Sequence, residues 1–344
     1  MIKNFAPSAL GLNGRQSELI ELALTYGFNG LDVDMHEMLR RAQRTSTEDA
    51  SKYLHAATDL QIGGFDLGID LDADEDAFTA QLGGLHRVAD LAKQMGATRG
   101  YIYAPPATDR LPYHEYFDVQ TTRLGQIADA LEPKGIKVAV GFYAGKELEE
   151  GKEFPFIRNV EGLCALVKGA GKANVGFLID TWDCVVGDGA MDQFSELTAD
   201  QIVAVRMSSV PEEVGAAAAT STDRVVPELN GPLDHTKVME RLASIGFDGP
   251  ISPGASSTCY KGQTRESIVQ RSQQAIDAIS KAAGLTVAPL PMDLIEEEPS
   301  YNSESTGAPA ASNGAVTATA VAEKTTEEAA VSDEDSSSEE TPTA

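Results

Sequence analysis

The stretches KVAVGFY (residues 137–143), NVEGLCALVK (159–168) and VGFLIDTW (175–182) carry the pattern that decides the fold. The first and third are short runs of β-branched and other apolar residues, which are typical of buried strands. In the middle stretch the apolar residues recur at helical spacing. Together they predict a strand, a helix and a second strand, which is the repeating unit of an α/β fold.

The same alternation extends outward over most of the chain. Strands are predicted over residues 7–12, 30–35, 62–69, 98–104, 137–143, 175–182, 202–208 and 249–252. Helices are predicted over residues 15–26, 37–60, 74–94, 113–131, 159–168, 191–197, 233–245 and 264–282. Glycines suited to left-handed helix C-caps are Gly27, Gly96, Gly135, Gly171 and Gly246. Eight strand-helix units predict an α/β fold, a closed (β/α)8 TIM barrel over residues 1–290; an open sheet is the alternative, because counting strands does not establish closure.

The composition is strongly acidic and unevenly distributed. The 344 residues carry a formal net charge of −26, from 53 Asp and Glu against 27 Lys and Arg, which argues against a nucleic-acid partner. Residues 291–344 hold 13 acids, one base and only five Leu, Ile, Val or Phe residues. So little apolar surface cannot offset the entropy lost on ordering, so we predict a disordered acidic tail over residues 291–344.

Segments that would target the chain to a membrane or for export are not recognised. No apolar run approaches the roughly 20 residues that cross a bilayer, and the start of the chain lacks a secretory signal. We therefore expect a cytoplasmic protein with no membrane partner, and the oligomeric state is left open. Cys164, Cys184 and Cys259 are widely spaced, which indicates reduced thiols.

The run DLDADED (residues 70–76) places an aspartate at every second position, as in a calcium-binding loop. The rest of that motif is missing, because Glu75 stands where a glycine is needed and Gln81 where a bidentate glutamate is needed. We therefore predict that these acids cap the following helix.

Two isolated residues near strand ends are candidate ligand-binding residues. Lys146 follows the fifth predicted strand, on the face where an anionic ligand would dock, although a turn glycine explains its Gly-Lys pair. His36 is the histidine that directly follows a predicted strand. A metal-ligand role for His36 lacks placed partners, so a core or surface role is the competing interpretation.

Three further candidate site residues lie close together at the end of the sixth predicted strand. GFLIDTWDC (residues 176–184) places Asp180 and Asp183 on either side of Trp182. Paired carboxylates at a strand end can bind a metal or a polyol, or act as acid and base, and the indole offers a face for sugar stacking. A capped turn into the next helix explains the same residues equally well.

Several segments resemble one known family, the xylose isomerase-like TIM barrels, in their sugar phosphate isomerase/epimerase branch. The segments are GFNGLDV (27–33), KVAVGFY (137–143), NVGFLIDTWD (174–183), DQIVAVRMSS (200–209) and GFDGPIS (246–252), and the likeness spans about residues 5–283. The resemblance implies a divalent metal held by Glu, Asp, His and Glu at the ends of the fifth to eighth strands. Such enzymes move a proton beside a sugar carbonyl.

Three of the four implied ligand positions depart from the family pattern. Gly141, Arg206 and Gly254 stand where the family has Glu, His and Glu, and Asp180 alone is kept. Glycine has no side-chain oxygen and a guanidinium has only donors, so neither ligates a cation. Compared with the family pattern, these residues predict that the divalent metal is lost. No other cofactor is predicted. We also expect Arg206 to pair with Asp180 or Asp183 in place of the metal.

These observations predict a family barrel that has lost its metal-dependent activity and binds a sugar-like or polyol ligand, as a binding or regulatory protein. One alternative is a metal-free isomerase, epimerase or lyase, with Asp180 or Asp183 as base and Arg206 or Lys146 stabilising an enediolate. Another is a scaffold whose acidic tail recruits a basic partner.

Overall fold

The computed structural model describes residues 1–57, 59–187 and 192–291. The predicted acidic tail, apart from residue 291, lies outside the described residues, as does the first residue of the helix predicted over 191–197. All three cysteines are free, as predicted. Among the helices of the described residues, none combines the length and apolar character needed to cross a bilayer.

Strands and helices alternate along the described chain. The strands are β1 (Ile2–Phe5), β2 (Gly30–Leu31), β3 (Gln61–Ile62), β4 (Phe65–Asp66), β5 (Arg99–Tyr103), β6 (Ala107–Thr108), β7 (Lys137–Gly141), β8 (Phe154–Pro155), β9 (Val175–Asp180), β10 (Ile202–Met207) and β11 (Pro250–Pro253). The helices are α1 (Gln16–Thr25), α2 (Met35–Arg44), α3 (Thr47–Ala56), α4 (Glu75–Met95), α5 (Tyr113–Leu131), α6 (Val160–Ala170), α7 (Thr181–Val186), α8 (Asp192–Ser195), α9 (His235–Ser244) and α10 (Arg265–Ala282).

The main sheet is parallel and curls into a barrel. Its strand order is β3, β2, β1, β11, β10, β9, β7, β5, β4, and every pairing in it is parallel. The two outer strands, β3 and β4, are separated by only Gly63 and Gly64, so one short segment joins both edges. The predicted (β/α)8 TIM barrel is confirmed. The antiparallel pair of β6 and β8 lies outside this sheet.

Two predicted elements near the amino terminus are wrong. The stretch predicted as the first strand, residues 7–12, begins with the 3-10 helix Pro7–Leu10, and β1 precedes it. Proline at the first helical position has a suitable φ and lacks only an N–H that would be unpaired there. The helix predicted over residues 37–60 is divided into α2 and α3, because the hydroxyl of Ser46 caps the start of α3.

Most helix ends follow the predicted signals. The five C-cap glycines have φ between 62° and 77°, the left-handed region that glycine adopts readily. Asp74 caps α4 by accepting the amide of Ala77 at 2.8 Å, as the acidic run predicts. Asp72 has another role, because its Oδ1 accepts the hydroxyl of Tyr116 at 2.6 Å and so ties the β4–α4 connection to α5.

Gly63 and Gly64 leave the space in which two side chains reach the barrel interior. A Cβ atom at Gly63 would lie 2.1 Å from Asn4 Oδ1, and one at Gly64 would lie 2.2 Å from Tyr101 Cζ. Cβ atoms do not approach other heavy atoms so closely, so any larger residue here forces Asn4 or Tyr101 to move. The short segment that joins the two sheet edges therefore also determines where Asn4 and Tyr101 lie.

Substituting Gly64→Ala should lower the free energy of unfolding by roughly 1–3 kcal/mol, because the added methyl overlaps the Tyr101 ring. The matched control is Gly83→Ala within α4, where a Cβ meets nothing within 4 Å. That change should stabilise the helix by about 0.5–1 kcal/mol. Urea unfolding of both variants checks the prediction, and equal effects would contradict it.

Candidate active site at the barrel mouth

Polar and aromatic side chains gather where the parallel strands end. In the sheet register Arg206 lies opposite Asp180 on one side and opposite Ser252 on the other. Tyr103 lies opposite Gly141 on the neighbouring pair of strands. The strand-end residues that the sequence singled out are thus brought to one mouth of the barrel, as the fold requires.

Asp180 and Asp183 share one cation, the guanidinium of Arg224. Arg224 donates from Nη1 to Asp180 Oδ2 and from Nη2 to Asp183 Oδ2, the latter at 2.8 Å. The remaining oxygens accept backbone amides, Asp180 Oδ1 from Trp182 at 3.0 Å and Asp183 Oδ1 from Ala144 at 2.9 Å. All four carboxylate oxygens therefore have a hydrogen-bond donor.

This ion triad, Asp180, Arg224 and Asp183, is buried. The side chains of Asp180, Asp183 and Arg224 are 5%, 1% and 14% exposed. Burial raises the pKa of Asp183; the charge of Arg224 opposes the rise, and the neighbouring Asp180 carboxylate adds to it. A guanidinium stays protonated at any accessible pH, so it compensates both carboxylates permanently.

Arg224 comes from the connection between β10 and α9, which folds back over the mouth. Ser209 and Val225 exchange backbone hydrogen bonds of 2.9 and 3.0 Å, and the Arg224 carbonyl accepts the amide of Ser256 at 2.7 Å. The guanidinium lies 4.6 Å above the ring of Trp182, whose exposure is 1%. The ring face predicted to stack on a sugar is therefore covered by Arg224.

The pairing predicted for Arg206 is wrong. Arg206 Nη1 donates to the hydroxyl of Tyr103, and Nη2 lies 4.0 Å from Asp32 Oδ2. Its guanidinium carbon lies 5.3 Å from the Tyr101 ring centroid and 5.6 Å from that of Tyr103. Arg224 is already bound to Asp180, so Arg206 is directed across the barrel toward β2 and β5.

Asp32 directly follows β2 and was not among the predicted site residues. Its Oδ1 accepts the Asn4 amide at 2.8 Å and the Tyr101 hydroxyl at 3.1 Å. Asn4 also donates to Ser252 Oγ at 2.8 Å. Burial raises the pKa of Asp32 to about 6, although the charge of Arg206 and the hydrogen bonds from Asn4 and Tyr101 oppose the rise.

A cleft of about 750 Å³ opens above Asp32 and Arg206. Its wall includes His36 and the rings of Tyr103 and Tyr143, which stack with centroids 4.4 Å apart. His36 Nε2 lies 3.1 Å from the Leu67 carbonyl, so one nitrogen has a backbone partner. We call this space the Tyr-Arg cleft. It lies beside the ion triad rather than over it.

Lys146 lies apart from both the Tyr-Arg cleft and the ion triad. It is exposed, and its Nζ donates to the carbonyl of Ala217 at 3.4 Å. Its ammonium therefore contacts the returning β10–α9 connection. Of the six predicted residues, Arg206 and His36 line the cleft. Asp180 and Asp183 belong to the ion triad, and the backbone amide of Trp182 donates to Asp180.

At the two positions where the resemblance implies glutamate, neighbouring side chains fill the space that a longer residue would need. A Cβ atom at Gly141 would lie 2.8 and 2.9 Å from ring atoms of Tyr103. One at Gly254 would lie 2.7 Å from Ser208 Oγ. Longer side chains at these positions would displace Tyr103 or Ser208.

The donor set at the family metal position does not fit a divalent ion. Such an ion needs several oxygen or nitrogen ligands, and here both carboxylates are engaged by Arg224 while Gly141, Arg206 and Gly254 supply none. Among residues 1–57, 59–187 and 192–291, no three His, Cys, Asp or Glu side chains are grouped to hold a metal.

Replacing Arg224→Met should lower the free energy of unfolding by about 3–5 kcal/mol, because two buried carboxylates lose their cation. The triple variant Arg224→Met, Asp180→Asn, Asp183→Asn should recover most of that loss. As a control, Arg265→Met breaks an exposed pair with Glu18 and should have a much smaller effect. Denaturant unfolding measures all three; a loss below about 1 kcal/mol for Arg224→Met would contradict the prediction.

Comparison with known proteins agrees with this architecture. The model of the xylose isomerase-like TIM barrel family matches residues 20–282. Similar solved structures include a xylose isomerase domain protein from Alicyclobacillus acidocaldarius subsp. acidocaldarius, 20% identical with a TM-score of 0.73 over 83% of this chain and 99% of that one. The IOLI protein, solved with a zinc atom, is 18% identical with a TM-score of 0.70. The match covers 82% of this chain and 99% of that one.

A D-psicose 3-epimerase from Clostridium cellulolyticum H10, solved with D-tagatose, is 12% identical with a TM-score of 0.59 over 82% of this chain and 99% of that one. At these identities the solved structures show a shared fold. No curated protein matches the sequence. The family match covers most of the barrel. The chain therefore belongs to the xylose isomerase-like TIM barrel family.

Proposed function

We propose that this barrel binds a sugar or polyol ligand in the Tyr-Arg cleft and has lost the divalent-metal-dependent activity of its family. The observation that carries the proposal is the contact of one guanidinium, that of Arg224, with both Asp180 and Asp183. In this view the protein acts as a ligand-binding or regulatory barrel.

A divalent ion at the mouth would need carboxylate oxygens that Arg224 already binds. Asp180 is the one family ligand position that is kept, and its Oδ2 accepts from Arg224. To bind there, a divalent ion would have to displace a charge-assisted hydrogen bond and lie beside a fixed positive charge. It would gain at most two carboxylates, since positions 141, 206 and 254 provide no acceptor side chain.

The composition of the cleft supports a polyhydroxylated ligand. Sugars present both hydroxyls and apolar C–H faces, so their sites combine aromatic rings with a few polar groups. Tyr143 is 38% exposed and stacked on Tyr103, while Asp32, His36 and Arg206 provide polar groups nearby. The fold relative solved with D-tagatose favours the same class of ligand.

A metal-free isomerase, epimerase or lyase is the second candidate. The observation that favours it is the buried carboxyl of Asp32 beside the guanidinium of Arg206, with a pKa raised by burial to about 6. Perturbed carboxyls in clefts are common among catalytic groups. Asp180 and Asp183 are poorer candidates for the base, because Arg224 binds both.

Purified full-length protein should contain substoichiometric Zn²⁺ and Mn²⁺ by mass spectrometry, also after incubation with either ion. Its melting temperature should rise with D-tagatose, D-fructose or myo-inositol, equally with and without EDTA. Tyr143→Ala should weaken such binding by roughly 2- to 10-fold through loss of a stacking face. Tight stoichiometric metal, or ligand binding that EDTA abolishes, would contradict the proposal.

A matched control for the cleft is Tyr53→Ala, which removes another exposed tyrosine ring, on α3. It should leave the sugar-dependent shift unchanged. If both tyrosine variants lowered the shift equally, the ligand would not be located in the Tyr-Arg cleft.

A further inference from the structure

We propose that the amino-terminal end of the barrel, opposite the mouth, carries a separate anion site, where Arg99 and Lys137 bind inorganic phosphate or a phosphate monoester. The site is independent of sugar binding in the Tyr-Arg cleft, because it lies at the other end of the strands and uses other residues. Three observations support it: the two cations are adjacent, they lack acidic partners, and they line one cavity.

Arg99 and Lys137 are the first residues of β5 and β7. They lie directly opposite each other in the parallel register, where neighbouring strands are about 4.8 Å apart. Side chains alternate between the two faces of a strand, so Arg99 shares its face with Tyr101 and Lys137 shares its face with Ala139. Tyr101 and Ala139 pack together inside the barrel. Both cations therefore lie on the inward face of the barrel wall, at its amino-terminal end.

A cavity of about 350 Å³ opens beside these two side chains. Its wall comes from the connections that lead into β5, β7, β10 and β11, together with Val203. Val203 also belongs to the buried apolar cluster of Tyr101 and Ala139. We call this space the amino-end cavity. Apolar side chains separate it from the mouth, and its volume is within the range of small-molecule sites.

Neither cation forms an ion pair with a carboxylate of residues 1–57, 59–187 or 192–291. Arg99 Nη1 donates to Thr98 Oγ1 at 3.4 Å, and Lys137 Nζ donates to the Asp200 carbonyl at 3.4 Å. Both contacts are longer than the roughly 2.7–2.9 Å of a charged donor on an anion. Two like charges at this spacing repel each other unless an anion lies between them.

The two donor groups favour a phosphate over other small anions. A guanidinium binds two oxygens of a phosphate at once, and an ammonium adds a compact point charge. A phosphate monoester carries about 1.5 to 2 negative charges near pH 7, so one group compensates both Arg99 and Lys137. A single carboxylate would compensate only one of them. A neutral sugar would compensate neither.

Two carboxylates on the wall of the amino-end cavity limit its affinity. Asp200 and Asp248 line the cavity and are exposed. A hydrogen bond with the Thr198 side chain lowers the pKa of Asp200, so this carboxylate stays ionised. The formal net charge of −26 also opposes the approach of an anion. Binding therefore depends on direct contact with both cations, and we expect a dissociation constant of roughly 0.1–10 mM.

The test is isothermal titration calorimetry of the full chain with inorganic phosphate and with glycerol 3-phosphate, at constant ionic strength in sodium chloride. Arg99→Gln and Lys137→Gln should each weaken binding by about 10-fold or more. Asp248→Asn should strengthen it by roughly 2- to 5-fold, because a repelling charge is removed. The matched control is Lys172→Gln, which removes a cation that is paired with Asp129 at 2.6 Å and should leave binding unchanged.

Binding of both probes supports a monoester ligand, and binding of inorganic phosphate alone supports free phosphate. No heat beyond that of chloride, or an equal loss in Lys172→Gln, would overturn the inference. So would binding that is unchanged in both Arg99→Gln and Lys137→Gln, because the anion would then bind elsewhere. Lys137 is exposed, so its variant keeps the test open should Arg99→Gln fold poorly. None of these outcomes changes the proposed sugar binding at the mouth.

Discussion

The contact of Arg224 with the carboxylates of Asp180 and Asp183 determines the charge at the barrel mouth. Two buried carboxylates so close together would repel each other and raise each other's pKa unless a cation lay between them. In a metal-dependent barrel that cation would be a divalent ion. Here a side chain of the same chain, Arg224, supplies a positive charge and a hydrogen bond to each carboxylate.

The rest of the mouth is consistent with that arrangement. Where the family has glutamates, Gly141 and Gly254 leave space that Tyr103 and Ser208 occupy. Arg206 is directed across the barrel to Tyr103 and Asp32. The aromatic and polar cleft thus lies on the β2 and β5 side, whereas the family ligand positions lie on the β7 to β11 side. These contacts connect the residues at the family ligand positions with those that line the cleft.

Local sequence patterns predicted much of the barrel. Apolar periodicity placed most helices and strands within a few residues, and the five C-cap glycines have the expected left-handed conformation. The strand predicted over residues 7–12 was wrong because an apolar run next to a proline is compatible with a 3-10 turn. The helix predicted over 37–60 was wrong because periodicity continues across the cap at Ser46.

The site was harder to predict, because its partners are distant in sequence. The sequence identified Asp180, Asp183 and a replacing arginine, but the arginine is Arg224, from a connection without periodic pattern. Asp32 directly follows β2, and the signal for it was available in GLDVD (residues 30–34), where it lies next to an apolar strand. The sheet order determines which strand ends face one another, and local sequence patterns do not predict that order.

The most direct test of this account is anomalous diffraction from crystals of the full chain soaked in Mn²⁺. Arg224 should remain hydrogen-bonded to Asp180 and Asp183, with no anomalous peak at the mouth. A strong peak coordinated by Asp180, with Arg224 displaced, would contradict it.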